Sequence, residues 1–90
     1  MRLDKYLKVS RLFKRRTVAK DIALDERVFV NDRLAKPSTE INAGDVVKIV
    51  YGTKVLILRA LVITDQTKKE DASKMYEIIS ETKIVYPSVN

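Results

Sequence analysis

The chain has neither cysteine nor histidine among its ninety residues. Disulfides, thiol nucleophiles, Ser-His-Asp chemistry and Cys/His zinc sites are thereby excluded, and a bound metal would need carboxylate ligands alone. No metal site and no cofactor is expected. With only two glycines, there is no Gly-rich loop of the kind that cradles phosphate. Long apolar runs are also missing. The most apolar stretch, Val55-Leu56-Ile57-Leu58, stops at Arg59, far short of the roughly 20 residues that span a bilayer. The first residues are charged and lack the apolar core of a secretory signal. A cytoplasmic location, away from the membrane, is the expectation.

A chain of ninety residues makes one domain with a small core. A deep catalytic pocket would be cramped in it, and its Asp and Glu residues form no recognisable acid–base pair. No catalytic residue is assigned, and a non-enzymatic, monomeric protein is expected.

Positive charge is present, and it is concentrated. Up to Lys20 there are eight basic side chains, Arg2, Lys5, Lys8, Arg11, Lys14, Arg15, Arg16 and Lys20, against Asp4 alone, a surplus of seven. Residues 21–90 carry ten basic and eleven acidic side chains and contribute minus one, which accounts for the net +6. An excess confined to one end is an electrostatic footprint for a polyanion, most commonly a phosphate backbone.

Residues 2–9 read as a short helix. At about 100° per residue, Leu3 and Leu7 share one side, and Arg2, Lys5 and Lys8 fall on the other. A basic connector, Lys14-Arg15-Arg16, leads to Thr17, placed to cap a second helix over about 18–25 that buries Val18, Ala19, Ile22 and Ala23. Val28-Phe29-Val30 reads as a strand and Asn31-Asp32 as a turn. Residues 33–40 are expected to be irregular, with Pro37 barring a central strand. Val46–Tyr51 and Lys54–Val62 read as strands joined at Gly52-Thr53, a two-residue hairpin turn with glycine first. Thr67-Lys68-Lys69-Glu70 has capping-box spacing. It predicts a helix over 68–81 whose stripe of Ala72, Met75, Tyr76 and Ile79 would cover the hairpin. Residues 84–90 read as a loose tail.

The basic segment admits a definite chemistry. One positive helical face and a basic loop ahead of a helix N-terminus can meet several phosphates, releasing counterions at each. Arg15 and Arg16 can grip phosphate bidentately, as lysine cannot. A solvated helical face is the plain alternative, and it leaves the lopsided charge and its sorting unexplained. A membrane-surface helix would need large apolar residues to insert, and Leu3 and Leu7 are required for the core. Charge does not separate RNA from DNA, but Lys/Arg rather than base-reading spacing favours backbone and shape readout over duplex sequence readout. Asp4 has two readings: complement to the helix dipole or partner of Lys8, or a carboxylate that orients an arginine or accepts from a base or ribose. Tyr6 and Phe13 suit the core better than base stacking.

Arg2-Leu3-Asp4-x-x-Leu7, Arg15-Arg16-Thr17-x-Ala19, Arg27-Val28-x-Val30-Asn31, Pro37 and Gly44-Asp45 together resemble the RNA-binding domain named after ribosomal small-subunit protein four, over about residues 2–50. The resemblance extends to about Glu81 with a short stand-alone branch of that family, related to the bacterial fifteen-kilodalton heat-shock protein. It implies an α+β fold with two N-terminal helices on a small, mostly antiparallel sheet, plus the C-terminal helix. The divisions expected are 1–66 for the RNA-binding domain, 67–83 for the helix packed on it and 84–90 for the tail. The RNA-facing positions it implies are Arg2, Asp4, Lys5, Lys8, Arg11, Lys14, Arg15, Arg16 and Thr17. It also implies a ribosome-associated quality-control role: binding a split large subunit through its rRNA and its peptidyl-tRNA, and supporting alanine tailing with the partner RqcH. The alternatives are a general rRNA-binding, assembly or heat-shock factor, or a detached appendage of an RNA-modifying enzyme. Two positions depart from the family pattern, Glu26 and Asp32, each standing where glycine is usual.

Overall fold

The computed structural model describes residues 1–83. Its elements are α1 (Leu3–Val9), α2 (Arg16–Leu24), β1 (Val28–Val30), β2 (Arg33–Leu34), β3 (Val46–Tyr51), β4 (Lys54–Ala60), a 3₁₀ helix (Lys69–Met75) and β5 (Tyr76–Lys83). The strands form one antiparallel sheet in the order β2-β1-β3-β4-β5. This is the α+β class expected.

The core lies between the helix pair and one face of the sheet. Leu3, Tyr6 and Leu7 of α1 and Ala19, Ile22 and Ala23 of α2 meet Val28, Val30, Val47, Ile49 and Leu58. The period-two pattern of β3 is what admits this: Val47 and Ile49 point inward, flanked by half-buried Val46, Lys48 and Val50. Tyr6 completes the core rather than an RNA surface. Its hydroxyl donates to the Met75 carbonyl at 2.8 Å, and burial, with Tyr76 adding, pushes the phenol well above its ordinary range.

Turn chemistry sets the connections. Asn31 and Asp32 both take positive φ, 51° and 65°, the conformation a two-residue hairpin turn requires. They close β1 onto β2, a short strand in a stretch expected to be irregular. Gly52, at φ 60°, turns β3 into β4. Glu26 also holds a left-handed φ of 60°. Its N–H donates to Ala23 and that of Arg27 to Ile22, at 3.2 and 3.3 Å, the paired bonds of a Schellman ending. The departure from glycine therefore leaves the turn intact.

Three local expectations are corrected. The helix over 68–81 is instead a 3₁₀ helix ending at Met75, followed by an eight-residue strand. Ala72 and Met75 are buried as that stripe required, but β4 had an unpaired edge. Backbone donors and acceptors left open along seven residues outweigh a helical stripe, and β-branched Ile78, Ile79 and Thr82 suit a strand. The Thr67 capping box does not form, since the 3₁₀ helix starts after Lys68 with no side-chain cap. In the second helix Val18 is exposed rather than buried. The tail over 84–90 lies outside the described residues.

Candidate nucleic-acid interface

The first turn of α1 is held by a loop rather than by a side-chain cap. Arg2 occupies the N-cap position with extended backbone and no capping side chain. The free amides that follow are satisfied elsewhere: Leu3 N–H donates to the Thr39 carbonyl at 2.7 Å and Asp4 N–H to the Pro37 carbonyl at 3.1 Å. An isolated bridge between Arg2 and Glu40 adds to this anchorage. The buried Pro37 loop thus fixes where α1 begins, and with it Arg2 and Asp4.

Asp4 is the centre of the site. Its side chain is 2% exposed, yet every acceptor it offers is used. Arg2 donates through Nε to Oδ1 at 3.2 Å and through Nη2 to Oδ2 at 3.3 Å. Arg16 donates through Nη2 to Oδ1 at 3.3 Å. The Lys5 backbone N–H reaches the same oxygen at 2.8 Å. Burial alone would raise the carboxyl's pKa. The hydrogen bonds from Arg16 and Lys5 and the charges of Arg16 and Arg2 more than offset it, and the net shift is downward. One ionised carboxylate therefore clamps two arginines fourteen positions apart in the chain. Both guanidiniums remain about half exposed, 52% and 46%, with most of their N–H donors uncommitted and one net positive charge left over.

This favours the second of the two readings of Asp4, and it ties α1 to the start of α2. The helix begins at Arg16, not after Thr17. Arg15 is the N-cap in extended conformation, and its carbonyl accepts from Ala19 at 3.3 Å. Thr17 is exposed within the first turn and does not cap.

The remaining expected positions lie on α1, on the connector and at the start of α2. Lys8, Arg11, Lys14 and Arg15 are all exposed. Arg11 leaves α1 with a left-handed φ of 63°. Lys5 is drawn aside, its Nζ 3.2 Å from Asp65. The fold brings in two cations that the expected set omitted. Lys20 and Lys36 line a groove of about 400 Å³ together with Arg2 and Pro37. Lys20 could have been found from its i+4 spacing to Arg16 on one helix face. Lys36 carried no sequence signal; only the loop docked on α1 places it there.

Among the described residues no His/Cys/Asp/Glu group could hold a metal ion, and no helix is long and apolar enough to cross a membrane. What the arrangement offers is paired, pre-oriented guanidinium forks within a positive surface, suited to planar oxyanions such as phosphate.

A helix pair on an antiparallel sheet, with the basic residues gathered on the helices and their connector, defines a small α+β domain of the RNA-binding class. The chain belongs to the S4 domain family, whose model matches residues 1–47. It is 58% identical over 84 residues to the RQC P-site tRNA stabilizing factor of Streptococcus pneumoniae, covering 93% of this chain and 96% of that one. The protein of that name from Bacillus subtilis is 45% identical over 84 residues, covering 93% and 98%. Among solved structures, the trimeric Heat Shock Protein 15 of Vibrio cholerae matches with a TM-score of 0.81 at 27% identity, covering 89% of this chain and 82% of that one.

Proposed function

We propose that this chain is a non-enzymatic RNA-binding factor of ribosome-associated quality control, acting in the cytoplasm on the large subunit. It binds subunits that still carry a peptidyl-tRNA, contacts rRNA and tRNA through its basic face, and steadies the tRNA in the P site. In this role it supports untemplated alanine tailing together with RqcH. The observation that carries the proposal is the Asp4 clamp, in a chain so similar to RQC P-site tRNA stabilizing factors along nearly its whole length. The clamp holds Arg2 and Arg16 in fixed relation before any RNA arrives, so less side-chain entropy is lost on binding. Lys8, Arg11, Lys14, Arg15 and Thr17 add exposed donors around it, with Lys5 beside them. The work is positioning, and no bond is made or broken.

The test is sedimentation with purified large subunits. Wild-type protein is expected to pellet preferentially with subunits bearing tRNA, and the Arg2→Ala/Arg16→Ala double variant to stay in the supernatant at moderate salt while remaining folded. Pelleting of the double variant would sink the basic-face reading. The likeness to Heat Shock Protein 15 favours as second reading a general rRNA-binding or subunit-recycling factor. Equal recovery of empty and tRNA-bearing subunits would select it.

A further inference from the structure

The α1–α2 connector borders a second open groove, of about 580 Å³. That volume falls in the range of roughly 300–1,000 Å³ typical of small-molecule sites. Its floor is apolar, built from Val18, Ile49 and Leu56. Val18 is an apolar α2 residue that the core leaves exposed. Two aromatic rings stand over this floor. Phe13 and Tyr51 meet edge to face, with centroids 5.6 Å apart and planes at 76°. Phe13 is anchored through its backbone N–H to the Leu7 carbonyl at 3.1 Å. Tyr51, the last residue of β3, is 54% exposed. The rim is basic: Lys14 and Arg15 border the groove, and Glu81, the one acid lining it among the described residues, sits 3.9 Å from Lys54 Nζ.

We propose that this groove receives one unstacked nucleobase of the bound RNA. The base stacks on Tyr51, its edge reaches the apolar floor, and its flanking phosphates meet Lys14 and Arg15. Charge complementarity selects this occupant, because an apolar slot whose open rim is cationic fits a base carried on a phosphodiester strand. Continuity supports it as well, since Arg15 is followed directly by Arg16, and one strand can pass from the clamp to the slot. The inference rests on the RNA-binding reading above and adds a preference to it: for RNA with an unpaired, extrudable nucleotide over a continuous duplex.

The experiment uses the full chain and a hairpin RNA carrying 2-aminopurine at one bulged position, alongside the same hairpin fully paired. Wild-type protein is expected to bind the bulged RNA more tightly and to quench its fluorescence as the base stacks. Tyr51→Ala and Val18→Asp, both at exposed positions and checked for folding by circular dichroism, are each expected to abolish the quenching. Each should also lower affinity for the bulged RNA at least about tenfold, the scale of one lost base–aromatic stack. Tyr51→Phe keeps both properties. Undiminished quenching with Tyr51→Ala, or equal wild-type affinity for the two RNAs, overturns the base slot. If Arg16→Ala still weakens both RNAs in that case, the RNA-binding reading survives without it. If Arg16→Ala weakens neither, the underlying reading falls and the slot with it.

Discussion

In the proposed function, Asp4 links stability to RNA recognition in one side chain. A buried carboxylate is tolerated because three separate groups donate to it, and among the described residues no buried side-chain nitrogen or oxygen lacks a partner. Its pKa is lowered below the ordinary 3.8, so its contribution to stability is fully present above that value and is lost as pH falls through the folded-state pKa. Asp4→Asn is expected to cost about 2 kcal/mol near neutral pH, the scale of hydrogen bonds to a charged group. The stability difference from wild type should shrink below about pH 4, where the carboxylate of the unfolded wild-type chain begins to protonate while the folded one stays ionised. Urea denaturation across pH 2–7 measures both, and a difference that stays constant down to the acid end would refute the linkage. Asp4→Asn also frees Arg2 and Arg16 and should weaken RNA binding more than neutralising an acid paired outside the basic face, such as Asp71→Asn, whose partner is Lys74. Glu26 is a residue-scale case of the opposite sign. It holds φ 60° at a helix ending where a side chain costs roughly 1 kcal/mol relative to glycine. Glu26→Gly should therefore raise the unfolding free energy by about that amount, read from the shift in urea midpoint at unchanged m-value.

At the scale of elements, what was legible in the sequence depended on which force decided each segment. α1 was readable because burial periodicity and charge periodicity agree: Leu3 and Leu7 go in, Lys8 stays out. The β3–β4 hairpin was readable because alternation and a glycine turn agree. Asp4 could be read two ways, since its partner Arg16 is twelve positions away and no local rule pairs them. β5 was misread because Met75, Tyr76 and Ile79 fall at helical spacing by coincidence, while the open edge of β4 is a tertiary fact that no window of sequence contains. Once formed, β5 and the 3₁₀ helix are tied to the helices through Met75. Its side chain is 1% exposed in the common core, and its carbonyl accepts from Tyr6 Oη and from Leu61 N–H, both at 2.8 Å. Met75→Ala should cost about 2–5 kcal/mol by leaving a cavity. It should also accelerate hydrogen exchange along β5 more than along β1. Tyr6→Phe should cost only about 1 kcal/mol, because the Met75 carbonyl keeps another donor.

Over the whole molecule, charge and shape are separated by design of the fold: one end of the chain holds the positive surplus, and the sheet built from the rest is nearly neutral. A surface of this kind binds by counterion release, so the logarithm of affinity falls linearly with that of salt concentration, by roughly 0.7–0.9 for each phosphate neutralised. Arg2→Ala/Arg16→Ala is then expected to flatten the slope by about 1.4–1.8 if each arginine meets one phosphate. Arg2→Lys/Arg16→Lys separates charge from geometry. Lysine keeps the positive charge and should restore the slope, but it lacks the planar fork that grips Asp4 on one side and an oxyanion on the other. Affinity should stay well below wild type at every salt concentration, giving a line parallel to wild type and displaced downward. Binding isotherms on a structured RNA between 50 and 200 mM salt, a range over which such slopes are commonly resolved, test this directly. If the lysine variant lies on the wild-type line, charge alone carries recognition and the Asp4 clamp serves only to stabilise the fold. A parallel, lowered line means that the orientation imposed by Asp4 is itself part of how the RNA is recognised.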